Sequence, residues 1–135
     1  MDTNVLVAAL RSRRGASYRL LQMIDDPRLE VQLSSALFYE YQEVAEREAA
    51  SFWVDPSKVN DVLDYICARA HTLAIYYSWR PTLPDPDDDM ILELAVAAGA
   101  SYVVTHNRRD FAGSERFGIE AIGPRDLLMK MGELP

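Results

Sequence analysis

Residues 85–111 read DPDDDMILELAVAAGASYVVTHNRRDF, and this run decides the fold class. Asp87–Ala98 has helical spacing, with Ile91, Leu94, Ala95 and Ala98 along one face. Gly99 follows as the helix stop. Ser101–Thr105 (SYVVT) is a short apolar run of the kind buried on both faces of a parallel sheet. Asn107–Phe111 then forms a charged turn just beyond the carboxyl end of that strand.

The same alternation extends in both directions. Downstream, Ile119–Ile122 reads as a brief strand, and Pro124 suits the first position of a last helix running to Met131. Upstream, Thr72–Tyr77 (TLAIYY) is rich in β-formers, and Pro56–Ala70 is a helix with Val59, Val62, Leu63 and Ile66 on one face. Ser34–Ala50 is a long helix with Ser34 or Ser35 as its cap, preceded by the alternating Leu29–Leu33. Ser17–Asp25 has helical spacing, and Met1–Leu10 is apolar with almost no strand before Asp2. Only Arg80–Pro86, holding three of the seven prolines, looks like a surface connection. Helices alternating with short apolar strands predict an α/β fold, a parallel sheet covered on both faces, with its site at the carboxyl ends of the strands.

A chain of 135 residues with 49% hydrophobic and 26% charged residues is expected to form one globular domain, residues 1–135. At this length it needs no disulfide or metal to fold. The single cysteine, Cys67, rules out an internal disulfide and a cysteine-built zinc site and suits a reducing cytoplasm. No apolar run is long enough for a membrane span, so a cytoplasmic protein is expected. The net charge of −7, from 21 acids and 14 bases, argues against a protein that coats nucleic acid. It leaves open an enzyme that holds cations between clustered carboxylates.

Four acids fall where such a site belongs. Asp2 precedes the first apolar run, where an N-cap is the plainer explanation for it taken alone. Glu40 borders the stripe formed by Leu37, Tyr41 and Val44, and a solvated helix acid is the alternative. Among Asp85, Asp87, Asp88 and Asp89, favourable placement at a helix N-terminus explains some of the charge. Asp88 continues the face of Ile91 and Ala95, whereas Asp89 points away. Asp110 lies just past the strand 101–105, with Asn107 in the same turn, and a pair with Arg108 or Arg109 is the plainer explanation. Taken together, four acids at element ends in separate segments suit hard divalent cations such as Mg²⁺ or Mn²⁺ and a phosphate substrate.

Other phosphate and hydrolase motifs are missing. There is no glycine-rich loop followed by lysine, no HExxH and no GxSxG. Arg11, Arg13 and Arg14, and Arg108 with Arg109, could grip phosphates or be ordinary surface charge. Tyr39, Tyr41, Tyr76, Tyr77, Trp53 and Trp79 suit packing better than base stacking.

These residues, in this order, resemble a PIN-domain nuclease, most like the VapC-type toxins of toxin–antitoxin systems. DTNVLVAAL is similar to the family's opening motif, with Asp2 as first acid and Thr3 and Asn4 its companions. LSSALFYEYQEV resembles the second motif, with Glu40 in the acidic position. In the run from Leu83 to Phe111, Asp88 matches the acid preceding the helix and Asp85 a frequent extra acid. FGIEAIGPRDLL resembles the closing strand and helix. The resemblance implies a Rossmann-like three-layer α/β/α fold with a short parallel sheet of about four to five strands. It further implies an Mg²⁺- or Mn²⁺-dependent endoribonuclease, an RNA substrate, a cognate antitoxin and a homodimer. Asp2, Glu40, Asp88 and Asp110 would be catalytic and metal-binding, supported by Thr3, Asn4, Thr105, Asn107 and Arg108. Two departures stand out. Only Met1 precedes Asp2, which truncates the first strand, and Asn107 occupies a position that is often aspartate. They leave a second reading, an inactive PIN domain that binds protein or RNA.

Overall fold

A computed structural model describes residues 1–73, 83 and 85–134. In chain order the helices are α1 (Thr3–Arg11), α2 (Ala16–Gln22), α3 (Ser35–Glu48), α4 (Val59–Arg69), α5 (Pro86–Ala98) and α6 (Pro124–Lys130). The strands are β1 (Gln32–Ser34), β2 (His71–Leu73), β3 (Tyr102–Val104) and β4 (Glu120–Ile122). Single turns of 3₁₀ helix occupy Ala49–Ser51, Pro56–Lys58, Arg108–Phe111 and Ser114–Phe117. Most of the expected strand at Thr72–Tyr77 lies outside the described residues, as do Tyr76, Tyr77 and Trp79.

Local chemistry accounts for the boundaries. The Ser34 side chain accepts from the Leu37 N–H at 3.1 Å and starts α3. Asp85 does the same for α5 through the Asp87 N–H at 2.9 Å, with Pro86 at the first helical position. Gly99 ends α5 at φ +66°, and the Ala100 N–H returns to the Ala95 carbonyl at 2.9 Å. The stripe of α3 is Leu37, Tyr41 and Ala45, so Ala45 takes the buried place that spacing gave to Val44. The 3.6-residue period permits either choice, and tertiary packing selects the smaller side chain.

Both strand pairs among the described residues are parallel. β1 pairs with β2 from Gln32–His71 to Ser34–Leu73, and β3 pairs with β4 from Tyr102–Glu120 to Val104–Ile122. Where one sheet of about four to five strands was expected, the described residues form two separate pairs, each strand three residues long. The Asp2 N–H donates to the Val104 carbonyl at 2.8 Å, on the edge of β3 that faces away from β4. One such bond is not a ladder, and among the described residues no ladder joins β3 to β1. Between the two pairs lies a cavity of about 540 Å³, lined by Met1, residues 30–32 and residues 101–104.

Helices cover both faces. Val103 and Phe111 pack with Ile91, Leu92 and Leu94 of α5 in one cluster that continues through Leu37, Tyr41, Leu63 and Ile66. Ile122 packs on the opposite side with Leu127 and Leu128 of α6, Leu20 of α2 and Val5 of α1. Adjacent strand residues thus serve opposite layers, as the period of two requires. No helix among the described residues is long and apolar enough to cross a membrane.

Candidate active site

Asp2 is 7% exposed and occupies the N-cap position of α1 in extended conformation, yet its side chain caps nothing. Its Oδ2 accepts instead from the Thr105 hydroxyl at 2.6 Å. Thr105, just beyond β3, is fully buried. Its oxygen also accepts from the Asn107 N–H at 3.0 Å and, more loosely, from Asn4 Nδ2 at 3.4 Å. The Asn4 carbonyl oxygen receives the His106 N–H at 3.3 Å. One donor and two acceptor sites of a hydroxyl are therefore used, and Asp2 is held against the end of β3. The expected partners Thr3, Asn4, Thr105 and Asn107 all take part in this local network or its neighbour.

Glu40 sits half-buried on α3, and its Oε2 accepts from the Thr3 hydroxyl at 2.6 Å. Burial pushes its pKa up, the Thr3 bond opposes that, and the nearby Asp87 and Asp2 charges raise it further. Tyr41, one residue on, is fully buried and donates its hydroxyl to the Met1 carbonyl. The start of α1 is thus tied to α3 by two side chains.

The third acid is less well held. Asp88 is half-buried at the first turn of α5, and its pKa is pushed up to about 7. Burial is the largest cause, followed by repulsion from Asp2, Asp85, Asp110 and Asp87. Asp85 is occupied as the cap of α5, and Asp89 accepts the Leu83 N–H at 2.8 Å. Asp110 lies in the 3₁₀ turn 108–111, where its N–H donates to the Asn107 carbonyl at 3.1 Å. The plain ion pair considered for Asp110 is not formed with Arg108, which instead pairs with Asp126. Arg108 is therefore committed away from the acids. Arg11 likewise pairs with Glu48 at 2.8 Å, and Arg13 stacks over Trp53 at 4.5 Å.

Asp2, Glu40, Asp88 and Asp110 come from four segments and share one electrostatic neighbourhood. Among the described residues no ion pair neutralises any of them. Nor, among those residues, are three acid, histidine or cysteine side chains drawn close enough to share one metal ion. Like charges without a cation between them hold one another apart. Hard oxygen donors with uncompensated charge nevertheless form the donor chemistry that a divalent cation satisfies.

Two neighbours escaped the sequence reading. Asp87 reaches Glu40, although helical spacing singled out only Asp88. Where α3 and α5 meet is a tertiary fact that no spacing on α5 encodes. Ser17, buried on α2, hydrogen-bonds His106 Nε2 at 2.8 Å and had no signal in sequence.

The sequence profile of the PIN domain matches residues 1–109, from the first acid through the turn that precedes Asp110. No curated protein and no solved structure matches the chain. PIN domains are three-layer α/β/α folds, typically nucleases, and generally use divalent metal ions. With its opening acid, its helix acids and strands β1 to β3 inside the matched span, the chain belongs to the PIN-domain family.

Proposed function

We propose that this chain is a Mg²⁺- or Mn²⁺-dependent endoribonuclease, the toxin of a type II toxin–antitoxin pair. The observation that carries the reading is the grouping of Asp2, Glu40, Asp88 and Asp110 without a counter-ion among the described residues, one of them with a pKa pushed up to about 7. Asp2, Asp88 and Asp110 would hold one or two ions, with Glu40 either a ligand or the group that positions the attacking water. When bound, the metal supplies an acidified water and charge stabilisation at the phosphoryl oxygens.

The protein's own contribution is positioning. Thr105 fixes the Asp2 carboxylate, and Thr3 fixes Glu40, so two donor groups are oriented before substrate arrives. Glu40, whose burial raises its pKa, is suited to take a proton from the attacking water. In-line attack would leave a 5′-phosphate and a 3′-hydroxyl. A cognate antitoxin and a homodimer follow from the resemblance of the motifs to the toxin branch. A second reading, an inactive PIN domain serving as a binding module, is favoured by the acids that do not close on one point and by Asn107.

Incubation of the purified chain with single-stranded RNA and millimolar Mn²⁺, beside Asp88→Asn and an EDTA control, separates the two. The nuclease reading expects 5′-phosphate products from wild type alone, and a Mn²⁺-dependent rise in melting temperature that Asp88→Asn abolishes. Absence of both in wild type sinks it and leaves the binding module.

A further inference from the structure

Thr105 and His106 are neighbours at the exit of β3, and their side chains are tied to different helices. The Thr105 hydroxyl donates to Asp2, at the start of α1, at 2.6 Å. His106 turns to α2, where its Nε2 lies 2.8 Å from the Ser17 hydroxyl. The backbone between them is held by α1, by β4 and by the turn itself. The His106 N–H goes to the Asn4 side-chain oxygen at 3.3 Å, the Thr105 N–H to the Ile122 carbonyl at 2.9 Å, and the Asn107 N–H to the Thr105 hydroxyl at 3.0 Å. Among the described residues the imidazole makes the one hydrogen bond from this turn to α2. Ser17 is the informative member of the pair. It is 3% exposed, on the face of α2 that also buries Leu20 and Leu21, whereas His106 is exposed. A buried hydroxyl is destabilising unless it is hydrogen-bonded, and serine is a poorer helix former than alanine. Packing and helix formation both favour alanine at position 17; what serine adds is a directional hold on residue 106.

We infer that His106 is a positioning residue of the acidic site: clamped by Ser17, it fixes the turn Thr105–Asn107 and, through the Thr105 hydroxyl, the direction of the Asp2 carboxylate. The links run from Ser17 to His106, along one peptide bond to Thr105, and from Thr105 to Asp2. The Ser17 hydroxyl can donate to a bare Nε2 or accept from an Nε2–H, so the clamp needs no particular tautomer. Without it the exposed ring turns freely, and the turn is held from α1 and β4 alone. A carboxylate that binds a cation must be set to within about 0.5 Å, so looseness in the turn is felt at the acid. The consequence for cleavage rests on the nuclease reading above, whereas the hold on the turn does not.

The test uses the full chain as wild type, Ser17→Ala, His106→Phe, the double variant, and His106→Gln, whose amide can meet the Ser17 hydroxyl in place of Nε2. Two readouts are taken at a temperature where melting curves show every variant folded. One is amide exchange of the metal-free protein, followed by NMR. The other is cleavage of a single-stranded RNA oligonucleotide with Mn²⁺ varied. Exchange at His106 and Asn107 should quicken in Ser17→Ala and in His106→Phe, while Val103 keeps its wild-type rate. Both variants should lower kcat about 10-fold and need more Mn²⁺ for half-maximal rate, with KM for RNA unchanged. The double variant should match the singles, because each removes the same bond, and His106→Gln should restore both readouts. Unchanged exchange in Ser17→Ala overturns the inference, and so does a double variant whose losses add. Faster exchange with kcat unaltered overturns it as well, since the pair would then be structural only. A rise in KM confined to His106→Phe also overturns it, making His106 a contact for RNA instead. If wild type neither cleaves RNA nor responds to Mn²⁺, the nuclease reading fails, and exchange alone decides whether Ser17 and His106 hold the turn.

Discussion

The two halves of the acidic site are built differently. Asp2 and Glu40 each receive a threonine hydroxyl at 2.6 Å, and both threonines are themselves buried. Asp88 and Asp110, on α5 and the following turn, receive no side-chain hydrogen bond among the described residues, and Asp88 is governed by burial and repulsion. One half is oriented by neutral donors, which fix direction without neutralising charge. In the other, Asp88 carries a repulsion that a proton or a cation relieves. A site made this way has a fixed anchor and an adjustable jaw.

Substitutions can break that contrast. The largest effect is expected on activity: Asp2→Asn or Asp88→Asn should lower RNA cleavage by on the order of 10³-fold or more in a gel-based assay. Wild-type rates in either variant would remove that residue from the site. Stability should then separate the halves by sign. Thr105→Val deletes the hydroxyl shared by Asp2, Asn107 and Asn4, leaving buried partners unpaired. A loss of about 1–3 kcal/mol is expected in denaturant unfolding.

Asp88→Asn should act in the opposite direction. Its folded pKa, about 7, exceeds the ordinary 3.8, so its ionisation favours the unfolded chain. The stability it contributes is full below pH 4 and falls as pH rises through 7. Removing the charge should therefore stabilise the metal-free protein at pH 8 by about 1–2 kcal/mol, after allowance for solvent screening, and do nothing at pH 4. A melting series over that range checks it, and a fall at pH 8 would show that Asp88 is held by something stabilising. Smallest is Arg108→Ala, expected to change stability by less than about 0.5 kcal/mol because its pair with Asp126 is solvent-exposed.

Legibility in sequence follows the same physical line. Helices with caps were readable because the cap is a local event: Ser34, Gly99 and Pro124 lie where the residue types place them, whereas α5 starts at Pro86 with Asp85 as its cap, one residue before the expected Asp87. The strands were readable as apolar runs but not in extent. Leu29–Leu33 moves to Gln32–Ser34, because a strand ends where its neighbour does. The division of the described strands into two pairs was not legible, because which strands pair is a tertiary outcome that apolar runs do not encode. For the site, Asp2, Asp88 and Asp110 were nameable as acids at element ends, whereas Glu40 lies inside α3 and was nameable only by its place beside the Leu37–Tyr41 stripe. That Asp2 would bond Thr105 rather than cap α1 was not, because the choice rests on a partner 103 residues away.

Trp53 carries one more consequence. Its indole N–H donates to the Ala9 carbonyl at 3.0 Å, its ring meets Tyr18 edge-on at 5.5 Å, and Arg13 lies over its face. The ring is thereby fastened to the far end of α1, the helix whose first residues hold the anchored acids. Trp79 is the other tryptophan in the chain. Trp79→Phe would leave Trp53 as the single tryptophan, whose emission on selective excitation reports the seating of α1, giving an optical signal for anything that tugs on the amino-terminal end of that helix.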